Sequence, residues 1–177
     1  MNPELISYND FLEGAYKGDI NAMKGVKDKA LRIKKARNMY GEARNQGKDG
    51  MHLVNKVVEN RAGSGGKWNW PTDEYEVMSA PAFSAWRTSD PNYKKMMTLN
   101  EQSKDPQFQT AYEVADEEFP SHLNKFKDAD HYYAPKGVSK TPSWVSAEGM
   151  RHLGDHGDHK FYTTKPGTGV NPAANMK

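Results

Sequence analysis

Apolar residues recur at helical spacing in the first third of the chain. Ile33, Ala36, Tyr40 and Ala43 lie on one face of a 3.6-residue period and predict a helix over about 26–44. Lys34, Lys35 and Arg37 take the other faces and are expected to be solvated. Met51, Val54, Val57 and Val58 form a second stripe, predicting a helix over about 50–61. Asn45-Gln46-Gly47 between them reads as a stop and a turn, so the two helices should form a tight pair. Asp90-Pro91 and Asp105-Pro106 repeat one device, an Asp cap followed by Pro at the first helical position. They predict a third helix over about 91–101 and a fourth over about 106–119, with Phe108, Ala111, Tyr112, Ala115 and Phe119 facing inward.

Residues 62–88 read as an irregular loop that starts with Ala-Gly-Ser-Gly-Gly and carries Trp68, Trp70, Tyr75, Phe83 and Trp86. A loop of that length in a compact domain usually has a task. Its aromatics are expected either to pin it to the core or to form a stacking platform at the rim of a cleft. Beyond Pro120 the pattern changes. His131-Tyr132-Tyr133 and His159-Lys160-Phe161-Tyr162-Thr163 are short, aromatic and prone to pair as a small sheet. The segment between them, with Pro142 and Trp144, reads as loop, and 165–177 as a fraying tail. The fold class is therefore α+β.

Composition narrows the chemistry. The chain has 177 residues, enough for one domain, and its 4 Trp, 9 Tyr and 6 Phe argue against wholesale disorder despite a mean hydropathy of −0.96. The absence of cysteine excludes a disulfide framework, a thiol nucleophile and Cys-ligated zinc. A net charge of +2 does not point to nucleic acid. No stretch approaches the roughly 20 apolar residues of a membrane span. The first residues lack the basic start and apolar run of a signal peptide. Charge is uneven, with a surplus of basic residues over 1–48 and of acidic residues over 101–130. This reads as two solvated helix faces of opposite sign.

Glu42 carries the candidate chemistry. It sits in Tyr40-Gly41-Glu42-Ala43-Arg44 at the end of the first helix. A Gly inside a helix costs roughly 1 kcal/mol against Ala, which suggests that something approaches the backbone closely at Gly41. A carboxylate near a helix C-terminus is electrostatically unfavourable. In a half-buried setting both features suit a group that must hold a proton as a general acid. The alternative is a surface Glu paired with Arg44 or Lys48. His152, Asp155, His156, Asp158 and His159 crowd together, but the glycines at 154 and 157 break any helical ligand spacing, so no metal is assigned. The basic run from Lys24 to Arg37 lacks interleaved aromatics and reads as a solvated face.

Five motifs taken in order resemble the spore-cortex-lytic-enzyme family of cell wall hydrolases. Tyr40-Gly41-Glu42-Ala43-Arg44 resembles its Tyr-x-Glu-Ala-Arg opening, and Gly50 to Arg61 its helix ending in Asn-Arg. Trp70-Pro71 and Ala82-Phe83-Ser84 resemble its Phe-Pro loop and Gln-Phe-Ser motif, with Ala82 in place of the Gln. His131-Tyr132-Tyr133, Pro142-Ser143-Trp144 and Gly157 to Tyr162 resemble its closing His-Tyr, Pro-x-Trp and Gly-x-His-x-Phe segments. Lys127-Asp128-Ala129-Asp130 replaces the Gly-Gly turn that usually precedes His-Tyr.

The resemblance implies a lysozyme-like bilobal domain over 26–164, preceded by an extension over 1–25 that is a candidate docking segment. It implies a lytic transglycosylase acting on peptidoglycan glycan strands without a cofactor, with Glu42 as catalytic acid. Arg44, Phe83, Ser84, Trp86, His131 and Tyr133 are the expected substrate contacts. A hydrolytic muramidase would need a second carboxyl, for which Asp73, Glu74, Glu76, Asp128 and Asp130 are candidates. The size and the missing signal suggest a bacteriophage enzyme made in the host cytoplasm. It would reach the wall through a holin or ride in the virion beside tail proteins. A virion structural protein that kept the fold and lost the activity is the alternative of another class.

Overall fold

In the computed structural model, which describes residues 20–79 and 83–172, the two amphipathic stripes form helices α1, Ile20–Ala43, and α2, Gly47–Ala62, packed on each other. Ala36, Met39, Tyr40 and Ala43 of α1 and Met51 and Val54 of α2 are buried together. The expected boundary at residue 25 falls inside α1. Residues 1–19 of the expected extension, Ala82 and residues 173–177 of the tail lie outside the described residues. No helix among the described residues is long and apolar enough to cross a membrane.

The long loop is more structured than expected. It contains a helix α3, Glu74–Ser79, and 3-10 turns at Lys67–Asn69 and Ser84–Trp86. Helix α4, Tyr93–Thr98, is shorter than predicted, because Asp90 does not cap it. The Asp90 carboxylate instead accepts from Asn92 N at 2.7 Å and closes a separate turn. Asp105 does cap α5, Pro106–Val114, accepting from Gln107 N at 3.1 Å and Phe108 N at 3.2 Å. This helix stops before the acidic Asp116-Glu117-Glu118, which its negative end does not tolerate well.

The sheet is three-stranded and antiparallel, in the order β1 (His131–Tyr133), β3 (His159–Thr163), β2 (Arg151–His156). The pairing of β1 with β3 is as expected. Strand β2 is not: a bulge between His152 and Gly154 breaks its alternation. The described residues of the tail run along this sheet, where Val170 bridges His152.

Three packed clusters fill the interior: α1 with α2, α4 and α5; α2 with the sheet and Leu123 and Phe126; and Val58 of α2 with Val77, Met78 and Phe83. Tyr132 of β1 packs against all three. Its strand is fixed from the end of α2. Asn60 Nδ2 donates to the carbonyls of Lys127 at 2.9 Å and Ala129 at 2.7 Å, and Arg61 Nε to that of Asp130 at 2.8 Å. The Asn-Arg pair therefore satisfies the backbone that leads into β1.

The basic and acidic surfaces are not simply solvated; they partly face each other. Lys29 pairs with Glu101, and Arg32 pairs with Asp116 at 2.9 Å and lies 3.8 Å from the Tyr112 ring centre. Arg37 Nε donates to the Leu99 carbonyl at 2.8 Å. Lys34, expected on a solvated face, is buried. Its ammonium donates to the Ser79 hydroxyl and sits 3.3 Å from the Tyr75 ring centre. Burial lowers its pKa from 10.5 to about 8, against the opposing pull of Glu76 and Asp73.

Gly41 meets the close approach that its place in a helix suggested. A Cβ there would lie 2.3 Å from the Ala85 Cβ and 3.0 Å from Met96 Sδ, so the absent side chain lets the Ser84–Trp86 turn seat directly on α1.

This packing makes two outcomes measurable. Gly41→Ala should cost about 1–2 kcal/mol in a denaturant melt, because overpacking outweighs the better helix propensity. A melt at or above wild type would mean the turn is not held against α1. For Lys34, the burial cost applies in full below about pH 8, where the amine is charged both folded and unfolded. Between about 8 and 10.5 the folded form has released the proton and the unfolded form has not, so stability rises with pH. Relative to Lys34→Met, the wild type should gain about 1–2 kcal/mol between pH 7 and pH 10. Parallel pH profiles of the two proteins would place Lys34 in solvent instead.

Candidate active site

Glu42 lies in the last turn of α1, half-buried, where helix, turn and sheet meet. Three donors converge on its carboxyl group. Oε1 accepts from Ala85 N at 2.8 Å and from the Ser84 hydroxyl at 3.3 Å, and Oε2 accepts from the Tyr132 hydroxyl at 3.0 Å. These contacts offset the unfavourable placement of a carboxylate at the negative end of a helix. They also fix the direction of access: Tyr132 closes the buried side, and the Ser84 contact lies at the exposed edge.

Each donor has a local reason to be there. In the Ser84–Trp86 turn, Arg87 N bonds the Ser84 carbonyl at 3.0 Å, while the Ala85 amide turns to Glu42. Phe83, only 1% exposed, anchors the turn in the third cluster. Tyr132 points inward because its strand partner is Phe161, and both rings pack in the core. Burial, and then the Glu42 charge, push its phenol well above the ordinary range, so it stays a hydrogen-bond donor. Behind it lies Arg61, 5.1 Å from the Phe83 ring centre. Burial works against the Arg61 charge, while Tyr132, Asp130 and Glu42 support it.

The other expected substrate residues are dispersed. Ser84 touches Glu42 as described. Arg44 does not reach the carboxyl group; it lies against the carbonyl and ring of Tyr40 and closes the helix end. Phe83 is core and has no free face for a sugar. The Trp86 indole donates to Asn38 Oδ1 at 2.8 Å and faces Lys34. His131 and Tyr133 flank Tyr132 in the strand and therefore point to the opposite face of the sheet. His131 is buried there among Trp68, Trp70 and Trp144, and Tyr133 packs on Trp144 and Tyr162. Neither of these two expected substrate contacts therefore lies beside Glu42. Tyr132, which is not among the expected substrate contacts, is the residue of this strand that reaches Glu42, and strand alternation within His131-Tyr132-Tyr133 is the signal that points to it.

The candidate second carboxyls are engaged elsewhere. Asp130 is buried and accepts from Thr164 N, the Thr164 hydroxyl and His131 Nδ1, the last at 2.8 Å. Asp73 caps α3, Glu74 pairs with Lys35 at 2.6 Å, and Asp128 pairs with Lys165 at 2.6 Å. Glu76 is exposed on α3. The histidine-rich segment is split between the two sheet faces. His159 packs on Tyr132 inside, and His152 bonds Asp155 outside at 2.7 Å. Among the described residues no group of three His, Asp or Glu side chains is placed to hold a metal ion.

Compared with known families, residues 45–162 match the family described as Cell Wall Hydrolase. The match begins just beyond Glu42 and takes in Asn60, Arg61, the Ser84–Trp86 turn, β1 and β2 and most of β3. No curated protein and no solved structure matches the chain. With two thirds of its length matched, the chain belongs to the cell wall hydrolase family.

Proposed function

We propose that the protein is a lytic transglycosylase that cleaves the MurNAc–GlcNAc bond of peptidoglycan with Glu42 as its single acid and base. Family membership itself implies a peptidoglycan-degrading enzyme. The finer reading is supported by one observation above all: Glu42 is held by three donors at an edge open to solvent, and none of those donors serves another carboxyl group.

The chemistry needs only that group. Protonated Glu42 gives its proton to the glycosidic oxygen, the C1–O bond breaks, and positive charge develops on the sugar ring. The resulting carboxylate takes the proton of the muramic acid C6 hydroxyl, and the C6 oxygen bonds to C1. The products are a free GlcNAc 4-hydroxyl and a 1,6-anhydro end, with no water consumed. The Ala85 amide and the hydroxyls of Ser84 and Tyr132 hold the carboxyl group in one orientation through both proton transfers. Hydrolysis would require a second carboxyl to activate water. Asp130 is occupied by Thr164 and His131, which argues against its taking that part.

Digestion of purified peptidoglycan in heavy-oxygen water, followed by mass spectrometry, tests the reading. The expected products carry anhydro-muramic ends with no label. Labelled reducing ends would establish a muramidase instead.

A further inference from the structure

The outer face of the sheet carries a second concave site, turned away from Glu42. The strand registers place Tyr133 opposite Lys160, His152 opposite Tyr162, and Asp155 opposite Lys160, all on the face that Tyr132 and Phe161 do not use. Val170 bonds His152 through both backbone groups, at 2.6 and 2.8 Å, so the tail forms a far wall. Between sheet and tail is a cavity of about 400 Å³, lined by Tyr133, His152, Lys160, Tyr162, Val170 and Pro172. That volume falls in the range of small-molecule sites.

Its lining has the two parts that a pyranose needs. The Tyr133 and Tyr162 rings are stacked at 6.1 Å and 26°, with Trp144 edge-on to both. Tyr162 is buried in this packing and braces Tyr133, whose half-buried ring at the cavity is the flat apolar surface for the C–H face of a sugar. Beside them, Asp155 accepts from Lys160 Nζ at 2.9 Å and from His152 Nε2 at 2.7 Å. Lys160 keeps further N–H donors for hydroxyl or acetamido oxygens. Because Asp155 balances the Lys160 charge, the site favours a neutral saccharide over the carboxylates of a stem peptide.

We propose that this face is a saccharide-binding site that holds a peptidoglycan glycan strand away from the bond being cleaved. The choice of ligand rests on the function proposed above. The site itself shares no residue with the Glu42 cluster. It would keep the enzyme on its insoluble substrate between cleavages, through the multivalent gain of two attachment points.

Amide NMR of isotope-labelled Glu42→Gln protein, titrated with a soluble GlcNAc–MurNAc oligosaccharide lacking stem peptides and with its lactyl carboxyls blocked as amides, so that the probe is neutral, tests the proposal. Shifts are expected at Tyr133, Lys160 and Tyr162, separate from those at Ser84 and Ala85. Adding Lys160→Ala, or Tyr133→Leu as a second variant, should weaken the outer set by about fivefold or more and leave the affinity of the inner set in place. Shifts confined to the Glu42 side, or an outer set indifferent to both variants, would overturn the outer site and leave the catalytic reading standing. Shifts confined to the outer face would support this site and remove the catalytic reading. No shifts at either place would remove both.

Discussion

The contact between the Tyr132 hydroxyl and the Glu42 carboxyl is where the helical and sheet portions meet chemically. Tyr132 is the side chain shared by all three packed clusters, so its position is set by the whole interior. Glu42 is fixed from the other side by the Ser84–Trp86 turn, which can sit close to α1 because Gly41 has no side chain. A phenol held by so many neighbours loses little entropy on making its bond, which is how a buried core orients a carboxyl group. The Asn60-Arg61 pair serves the same end one step back, by binding the three carbonyls that lead into β1.

Strand alternation then divides the sheet. One side chain of β1 serves the interior and the Glu42 site, and its two neighbours serve the outer face. The same division runs through β2 and β3, where His159 lies against Tyr132 while Lys160 and Tyr162 face outward with His152. A three-stranded sheet this small would have a weak outer surface if left bare. Here Trp144, Val170 and Pro172 cover it, and the cavity lies between them and the strands.

Much of the helical framework is legible in the sequence, because the stripes on α1 and α2 are long enough for the 3.6-residue period to be plain. Gly41 is legible as a conflict between local propensity and fold, and the structure gives its cause in Ala85. Asp105-Pro106 and Asp90-Pro91 look alike locally, yet only the first caps a helix, since the packing of the neighbouring chain decides whether a helix can start at each turn. Strand β2 escapes the alternation rule because a bulge interrupts it and four of its six residues are polar. Lys34 escapes for a different reason. Nothing in its local pattern indicates that Tyr75 and Ser79, some forty residues on, cover its ammonium. The site is half legible. Motif order singles out Glu42 and Ser84 as candidates, while the Tyr132 and Ala85 donors to Glu42 require the register of β1 and the path of the turn.

Catalysis by the proposed route depends on Glu42 as the group that moves the proton, and Glu42→Gln isolates that role. The substitution keeps an oxygen for the Ala85 amide and removes the transferable proton. With folding checked by circular dichroism, the wild type should clear a suspension of purified peptidoglycan and the variant should lose at least about a hundredfold in rate. A variant that clears the wall as fast as the wild type would contradict that role.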